Sequence, residues 1–413
     1  MRLTVDLSAG QGLLATSPAS ISVLSGDAEV WGAGLRGEIR VEKAGVPLLV
    51  STPDSCRIEV EASAAKILPR AFPESWESLS ESLERGDRVM LLGGVDSGKS
   101  SLSLYLLNRA ASSGMRTALI DSDVGQSDVG PPGAIGLMVR DGPILHPRLE
   151  EADYIFFVGD TSPRGHFLQM VVGLREAVSA ALGEGAELLI VNTTGFISGG
   201  AARALKSSKM AIVKPSKVVL MGRTPRFDRH LPPSVRVVSV DPLPQDAGKG
   251  LAMRREARRL MFSEVLERCR PVQVSARDVY LLNTMLFSGE PRPEHVDTFS
   301  RVLEVPVTYL EECEDAVLVI AERRPVRSKV ASLSRIIGKE VRAGRVDSYR
   351  GLYVGLLDSE GSLLGLGVIL DVDFSEGSIN LLAQVEEFSG IAFGWIRLSP
   401  SGEEIGRREV DEP

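Results

Sequence analysis

Cysteine is scarce in this chain, with three among 413 residues: Cys56, Cys269 and Cys313. They lie far apart, are odd in number and form no Cys-x-x-Cys spacing. That excludes a disulfide framework and a structural zinc site, and fits reduced thiols in an intracellular protein. The four histidines, His146, His166, His230 and His295, stand in no metal-ligand spacing and read as structural or surface residues. No uninterrupted apolar run reaches the length that spans a bilayer. The opening MRLTVDLSAG has neither a basic n-region nor an apolar h-region. These absences predict a cytoplasmic protein with no membrane partner. A basic excess is missing too: 47 Lys+Arg stand against 55 Asp+Glu, for a net charge of −8. That excludes a general nucleic-acid coat while allowing a local basic channel on an acidic body. There is no internal repeat and no low-complexity tract.

What is present suits a globular chain, because 43% hydrophobic residues are ample for a core and the length suggests two or three domains. Residues 1–75 show short period-two apolar runs (Ala19–Leu24, Ala28–Trp31, Gly37–Val41, Arg57–Val60) broken by Gly, Pro and Asp. They predict a small N-terminal β-sandwich or barrel, closed by the proline-marked link Leu68–Pro73. Residues 76–270 alternate strand runs (Arg88–Leu92, Thr117–Asp121, Tyr154–Val158, Glu187–Val191, Lys217–Met221, Val235–Val240) with helical runs (Lys99–Ala111, Gly165–Leu182, Leu251–Glu267). Near-continuous apolar strands alternating with helices predict an α/β domain whose parallel sheet is covered on both faces. Residues 271–413 return to short strands such as Ala316–Ala321, Leu352–Leu357 and Ile391–Ile396, and predict a C-terminal β-rich domain with short helical pieces.

The sharpest motif is Gly93-Gly94-Val95-Asp96-Ser97-Gly98-Lys99-Ser100, which fits G-x-x-x-x-G-K-[ST], with Ser101 continuing into the helix. An apolar strand precedes it and a helical pattern follows, as a phosphate-binding P-loop requires. The glycines let the backbone curl so that successive N–H groups point into one concavity, and the helix adds its positive end. Lys99 reaches the β- and γ-phosphates, and Ser100 offers a hydroxyl to magnesium. The next strand ends in Asp121-Ser122-Asp123. Strand ends in open α/β sheets face the ligand crevice. One aspartate can hold the magnesium shell and the other accept a proton from a nucleophile.

The Asn-Lys-x-Asp motif that reads guanine is absent. The comparable strand end is Asn192-Thr193-Thr194-Gly195-Phe196, whose aromatic can stack on a base. The run Lys249 to Arg259 contains Lys249, Arg254 and Arg255 and reads as an arginine-bearing lid, with Arg258 and Arg259 on its solvated face. Two basic clusters suggest a polyanion track. One comprises Arg203, Lys206, Lys209, Lys214, Lys217, Arg223, Arg226 and Arg229. The other comprises Arg323, Arg324, Arg327, Lys329, Arg335, Lys339, Arg342 and Arg345. On the P-loop alone, a kinase and an ATPase that drives a conformational cycle both remain open.

In several motifs, in order, the chain resembles the polynucleotide 5′-hydroxyl kinases that include the RNA kinase of the pre-mRNA cleavage complex and the nucleolar ribosomal-RNA kinases, in an archaeal or prokaryote-like form. These motifs are Asp121-Ser122-Asp123-Val124-Gly125-Gln126, Pro132-Gly133, Thr161-Ser162-Pro163 and Asn192-Thr193-Thr194-Gly195-Phe196. The resemblance implies ATP and Mg2+ as cofactors and RNA or DNA with a 5′-hydroxyl end as acceptor, and leaves protein partners open. It implies Asp123 as general base, and Asp121 and Gln126 as organisers of metal and water. Thr161, Ser162 and Pro163 would clasp the acceptor, with His166 beside them. Phe196, often Trp in relatives, would stack on the terminal base. The lid would be Lys249 with Arg254-Arg255-Glu256; relatives carry Arg at the first position, and Lys lacks the bidentate fork. The stretch Ala28–Gly32 would help hold the adenine side. Some relatives bind ATP without turnover, so an ATP-binding structural subunit is the alternative.

Overall fold

Alternation of apolar and polar residues turns the first part of the chain into sheet. In a computed structural model, residues 2–222, 224, 231–243 and 251–408 are described, the side chains of 251–253 excepted. Strands β1 (Arg2–Ser8), β2 (Gly12–Gly26), β3 (Ala28–Val30), β4 (Ala33–Leu35), β5 (Glu38–Val41), β6 (Pro47–Ser51) and β7 (Ser55–Leu68) form one antiparallel sheet. Its order is β1-β7-β2-β6-β3-β4, with β5 also on β2. In β7, Cys56, Ile58, Val60 and Ala62 point inward while Arg57 and Glu61 face water, the period of two that a half-buried strand imposes.

After helix α1 (Glu74–Glu81) come β8 (Arg88–Gly93), α2 (Lys99–Ser112), β9 (Thr117–Ser122), β10 (Ala134–Arg140), β11 (Tyr154–Phe157), α3 (Phe167–Gly183), β12 (Leu188–Thr193), α4 (Gly200–Val213), β13 (Lys217–Met221), β14 (Arg236–Val240) and α5 (Leu251–Glu267). The sheet order is β11-β10-β9-β12-β8-β13-β14. Strands β9, β12, β8, β13 and β14 are parallel, whereas β10 runs antiparallel to both β9 and β11. The expected parallel sheet is therefore mixed. The run Ala134–Arg140, absent from the sequence reading, follows β9 without an intervening helix. A chain lacking a crossover can only pair back antiparallel.

The chain divides into two compact units, residues 1–158 with 162–257, and 159–161 with 258–413. In the first, the N-terminal sheet and the P-loop sheet share one hydrophobic cluster that runs from Ile21, Leu48 and Val60 to Val89, Leu106 and Ile190. Trp31, Phe72, Trp76 and Tyr105 form an aromatic group within it, Phe72 and Tyr105 lying 4.5 Å apart. Asn108 on α2 is fully buried there. Its amide nitrogen donates to Trp31 O (3.0 Å) and Ile144 O (2.9 Å), and its oxygen accepts from Ile144 N (2.9 Å). The side chain thus staples the helix behind the P-loop to both neighbours.

The second unit holds β15 (Arg270–Ser275), β16 (Tyr280–Leu282), β17 (Glu290–Pro291), α6 (Val296–Leu303), β18 (Val307–Glu312), β19 (Ala316–Ala321), α7 (Arg327–Ile337), β20 (Glu340–Arg345), β21 (Leu352–Leu357), β22 (Leu363–Asp373), β23 (Ser378–Ala383), β24 (Gly390–Leu398) and β25 (Glu404–Arg407). A seven-stranded sheet, β15-β23-β22-β21-β24-β16 with β25 on β24, and a four-stranded sheet, β17-β18-β19-β20, make it β-rich. Much of its basic cluster is spent on local acids: Lys329 pairs with Glu304, Lys339 with Glu312, Arg342 with Glu340 and Arg345 with Asp347. Among the described residues no helix is long and apolar enough to cross a membrane.

Replacing Asn108 by Leu strands three buried backbone groups at nearly constant volume. We expect a loss of roughly 3 kcal/mol, read as a lower urea midpoint with unchanged slope.

Candidate active site

The phosphate loop joins β8 to α2 at the carboxyl edge of the parallel strands. Its curl needs left-handed backbone at Asp96 (φ 58°) and Gly98 (φ 91°), the second directly before the helix. Lys99 is buried and folds over the loop, donating to Gly94 O (2.7 Å), Gly93 O (3.1 Å) and Ser97 Oγ (3.4 Å). Burial pushes its pKa down, and the carboxylates of Asp123, Asp121 and Asp96 pull it back up.

Strand β12 lies between β8 and β9, and Asn192 stands in register with Asp121. Its Nδ2 donates to Ser100 Oγ (3.1 Å) and to Asp121 Oδ1 (3.0 Å). Asp121 is buried and also accepts from the backbone N–H of Asp123 (3.1 Å) and Asp128 (2.7 Å). Burial raises its pKa to about 8, with Asp128 and Asp123 adding repulsion, so a cation beside it is electrostatically favoured. Asn192 Oδ1 is buried without a hydrogen-bond partner among the described residues. The hydroxyl of Ser100, the carboxylate of Asp121 and this orphaned oxygen are hard oxygen donors, the kind that magnesium takes alongside phosphates. Asp123 sits half-buried in the following loop, its Oδ1 accepting from Gly125 N (3.2 Å), and the backbone N–H of Gln126 donates to Asp123 O (3.1 Å).

On the other side of the loop, Gly195 packs against Val95. A Cβ at 195 would lie 2.7 Å from Val95 N and 2.8 Å from its Cα, so only glycine fits. Phe196 follows, half-buried, 6.1 Å from the Phe167 ring and with the Arg164 guanidinium 5.5 Å over its face. Arg164 was not singled out from the sequence; a lone arginine in a Gly-Pro turn carries no pattern. Ser162 Oγ accepts from Arg164 N (3.3 Å), and Pro163 O from His166 N (3.2 Å). His146 and His166 are buried and His295 is exposed. Thr161 belongs to the second unit, where Arg407 Nη2 donates to its hydroxyl (3.1 Å) and the hydroxyl donates to Glu404 (3.4 Å).

Of the lid residues, Arg254 approaches the phosphate loop, 3.8 Å from Asp96 Oδ2. Arg255 is exposed. Lys249 lies outside the described residues, as do Arg223, Arg226, Arg229 and His230. Arg258 is not a solvated face residue: it is ion-paired with Glu404. Of the first basic cluster, Arg203 and Lys214 are exposed. Lys206 and Lys209 have no exposed surface, and Lys217 is buried against Asp87. The sequence signal was their spacing on the apolar face of α4, shared with Leu205 and Met210.

Residues 93–268 match the family model described as "mRNA cleavage and polyadenylation factor CLP1 P-loop". A Thermococcus kodakarensis protein named polyribonucleotide 5′-hydroxyl-kinase is 32% identical over 353 residues, covering 82% of this chain and 97% of its own length. The chain belongs to the polyribonucleotide 5′-hydroxyl-kinase family. A Pyrococcus abyssi member of that name is 31% identical over 79% of this chain and 92% of its own length. The Danio rerio kinase Clp1 is 28% identical over 58% of this chain and 59% of itself. The fold is that of the solved wild-type Clp1p–Pcf11p complex, where the match has a TM-score of 0.67 at 13% identity, covering 96% of this chain and 98% of that one.

Gly195→Ala forces the strand end away from the loop backbone. We expect a folded protein whose ATP affinity falls at least tenfold, as about 1.4 kcal/mol of misfit requires, measured by calorimetric titration.

Proposed function

We propose that the chain transfers the γ-phosphoryl group of ATP to the 5′-hydroxyl end of RNA. The observation that carries this reading is Asn192 bridging Ser100, at the end of the phosphate loop, to Asp121 at the neighbouring strand end. The names of the archaeal relatives support RNA over DNA as acceptor. The free thiols of Cys56, Cys269 and Cys313 support a reducing, cytoplasmic setting.

In this reading the loop N–H groups and Lys99 cradle the phosphates of ATP. Ser100 and Asp121, with Asn192 beside them, would hold magnesium, which when bound neutralises charge on the phosphate oxygens. Asp123 takes the proton from the 5′-hydroxyl as its oxygen bonds to the γ-phosphorus. The bond from that phosphorus to the β,γ-bridging oxygen breaks, and ADP leaves. Gln126 orients water or the acceptor. Arg254, held near Asp96, neutralises the transferring group, with Lys249 and Arg255 completing the lid. Thr161, Ser162 and Pro163 clasp the acceptor end, whose terminal base stacks on Phe196 under Arg164. A guanidinium over an aromatic suits a base flanked by phosphate.

The decisive assay supplies labelled ATP with a 5′-hydroxyl oligoribonucleotide. Transfer is expected, with none to the same oligonucleotide already 5′-phosphorylated. Hydrolysis that ignores the acceptor would instead mark an ATPase, and ATP binding without turnover a structural subunit. Lys99→Ala is expected to be folded and inactive. Asp123→Asn should lose at least about 100-fold in turnover while still binding ATP. Phe196→Ala should raise KM for the oligonucleotide about tenfold with KM for ATP unchanged. A near-normal Asp123→Asn beside a dead Asp121→Asn would reverse the two assigned roles.

A further inference from the structure

Two lysines of α4 lie where a soluble protein rarely places them. Lys206 and Lys209 are three residues apart, hence on one face of the helix, and neither has any exposed surface. An apolar side chain would satisfy packing there at far lower cost, since burying an ammonium group costs several kcal/mol unless its charge is met. The hydrogen bonds show where that cost is directed. Lys209 Nζ donates to Ser122 Oγ (2.9 Å) and Ser122 O (3.2 Å). Lys206 Nζ donates to Thr194 O (2.7 Å), Thr193 Oγ1 (2.8 Å) and Thr194 Oγ1 (3.2 Å). Ser122 in turn donates to Asn192 O (2.7 Å), and Thr193 to Leu91 O (2.7 Å). Three strand ends, β9, β12 and β8, are thereby tied to one helix face.

Ser122 is the residue between Asp121 and Asp123, and Thr193 follows Asn192. We propose that Lys206 and Lys209 are positioning residues for phosphoryl transfer, two buried lysines on α4 whose hydrogen bonds set the strand ends beside Asp121, Asp123 and Asn192. The inference rests on the kinase reading above. Long-range charge agrees with it. Burial pushes Lys209 down to about 8, while Asp123 and Asp121 pull it back; Asp123 opposes the stronger lowering of Lys206 by burial, Lys209 and Lys99. Strand ends already held by hydrogen bonds need no reorganisation when charge develops during transfer. None of this touches the nucleotide or the acceptor directly, so the effect belongs in turnover and not in affinity.

The test measures oligoribonucleotide phosphorylation and thermal melting for the full chain as wild type, Lys209→Met, Ser122→Ala and the double variant. Each single change is expected to lower kcat at least about tenfold, with both KM values within about threefold of wild type. The double variant should lose less than the product of the two single losses, because the two changes share the Lys209–Ser122 hydrogen bond. Wild-type kcat in Lys209→Met, or a loss confined to KM, would overturn the inference. Should Lys209→Met fail to fold, Ser122→Ala decides: unchanged kcat there overturns it equally. Normal transfer by wild type and variants alike would sink this inference alone, whereas an inactive wild type would overturn both readings.

Discussion

One side-chain amide couples the two halves of the catalytic edge. Asn192 occupies the strand between the phosphate loop and the acidic strand end, and its single NH2 group is shared by Ser100 and Asp121. Register makes this possible. Adjacent parallel strands run about 4.8 Å apart, so residues placed side by side reach each other through short side chains. Strand order then fixes which residues can meet, since β12 must lie between β8 and β9 for the amide to span the gap. The hydroxyl and the carboxylate are thus held to one and the same side chain.

That edge is held from behind as well. The N-terminal sheet and the P-loop sheet share one core, and Asn108 ties the helix that starts at Lys99 to Trp31 and Ile144. Buried side-chain hydrogen bonds to backbone are costly to leave unmade, so they resist sliding more than apolar contacts alone. The helix carrying Lys99 and Ser100 thus inherits its position from residues far from the phosphate loop. The placement of Lys99 and Ser100 and the stability of the first unit draw on the same interactions.

The phosphate loop was legible because its signal is local: glycines at fixed offsets, a buried strand before and a helix after. The alternation of strands and helices was legible for the same reason. The Ala134–Arg140 strand was not, because the loop before it is rich in Gly and Pro and its apolar run has no polar alternation to set its direction. Lys206 and Lys209 were misread because a charge count places lysine at the surface, whereas their helical phase with Leu205 and Met210 places them inside. Asn192 stood in a quoted motif without a role, since its importance arises from a neighbour seventy-one residues away in sequence. Ion pairs such as Lys339 with Glu312 likewise join distant strands and cannot be read from a cluster of cations.

The contact between Gly195 and Val95 has a mechanical corollary. A Cβ at 195 would meet both the backbone and the β-branched side chain of Val95, and Phe196 is covalently the next residue. The Phe196 ring is therefore spaced from the phosphate loop by the packing at Val95 and one peptide bond. On the proposed kinase reading, that spacing is a caliper between the phosphate donor and the base at the acceptor end.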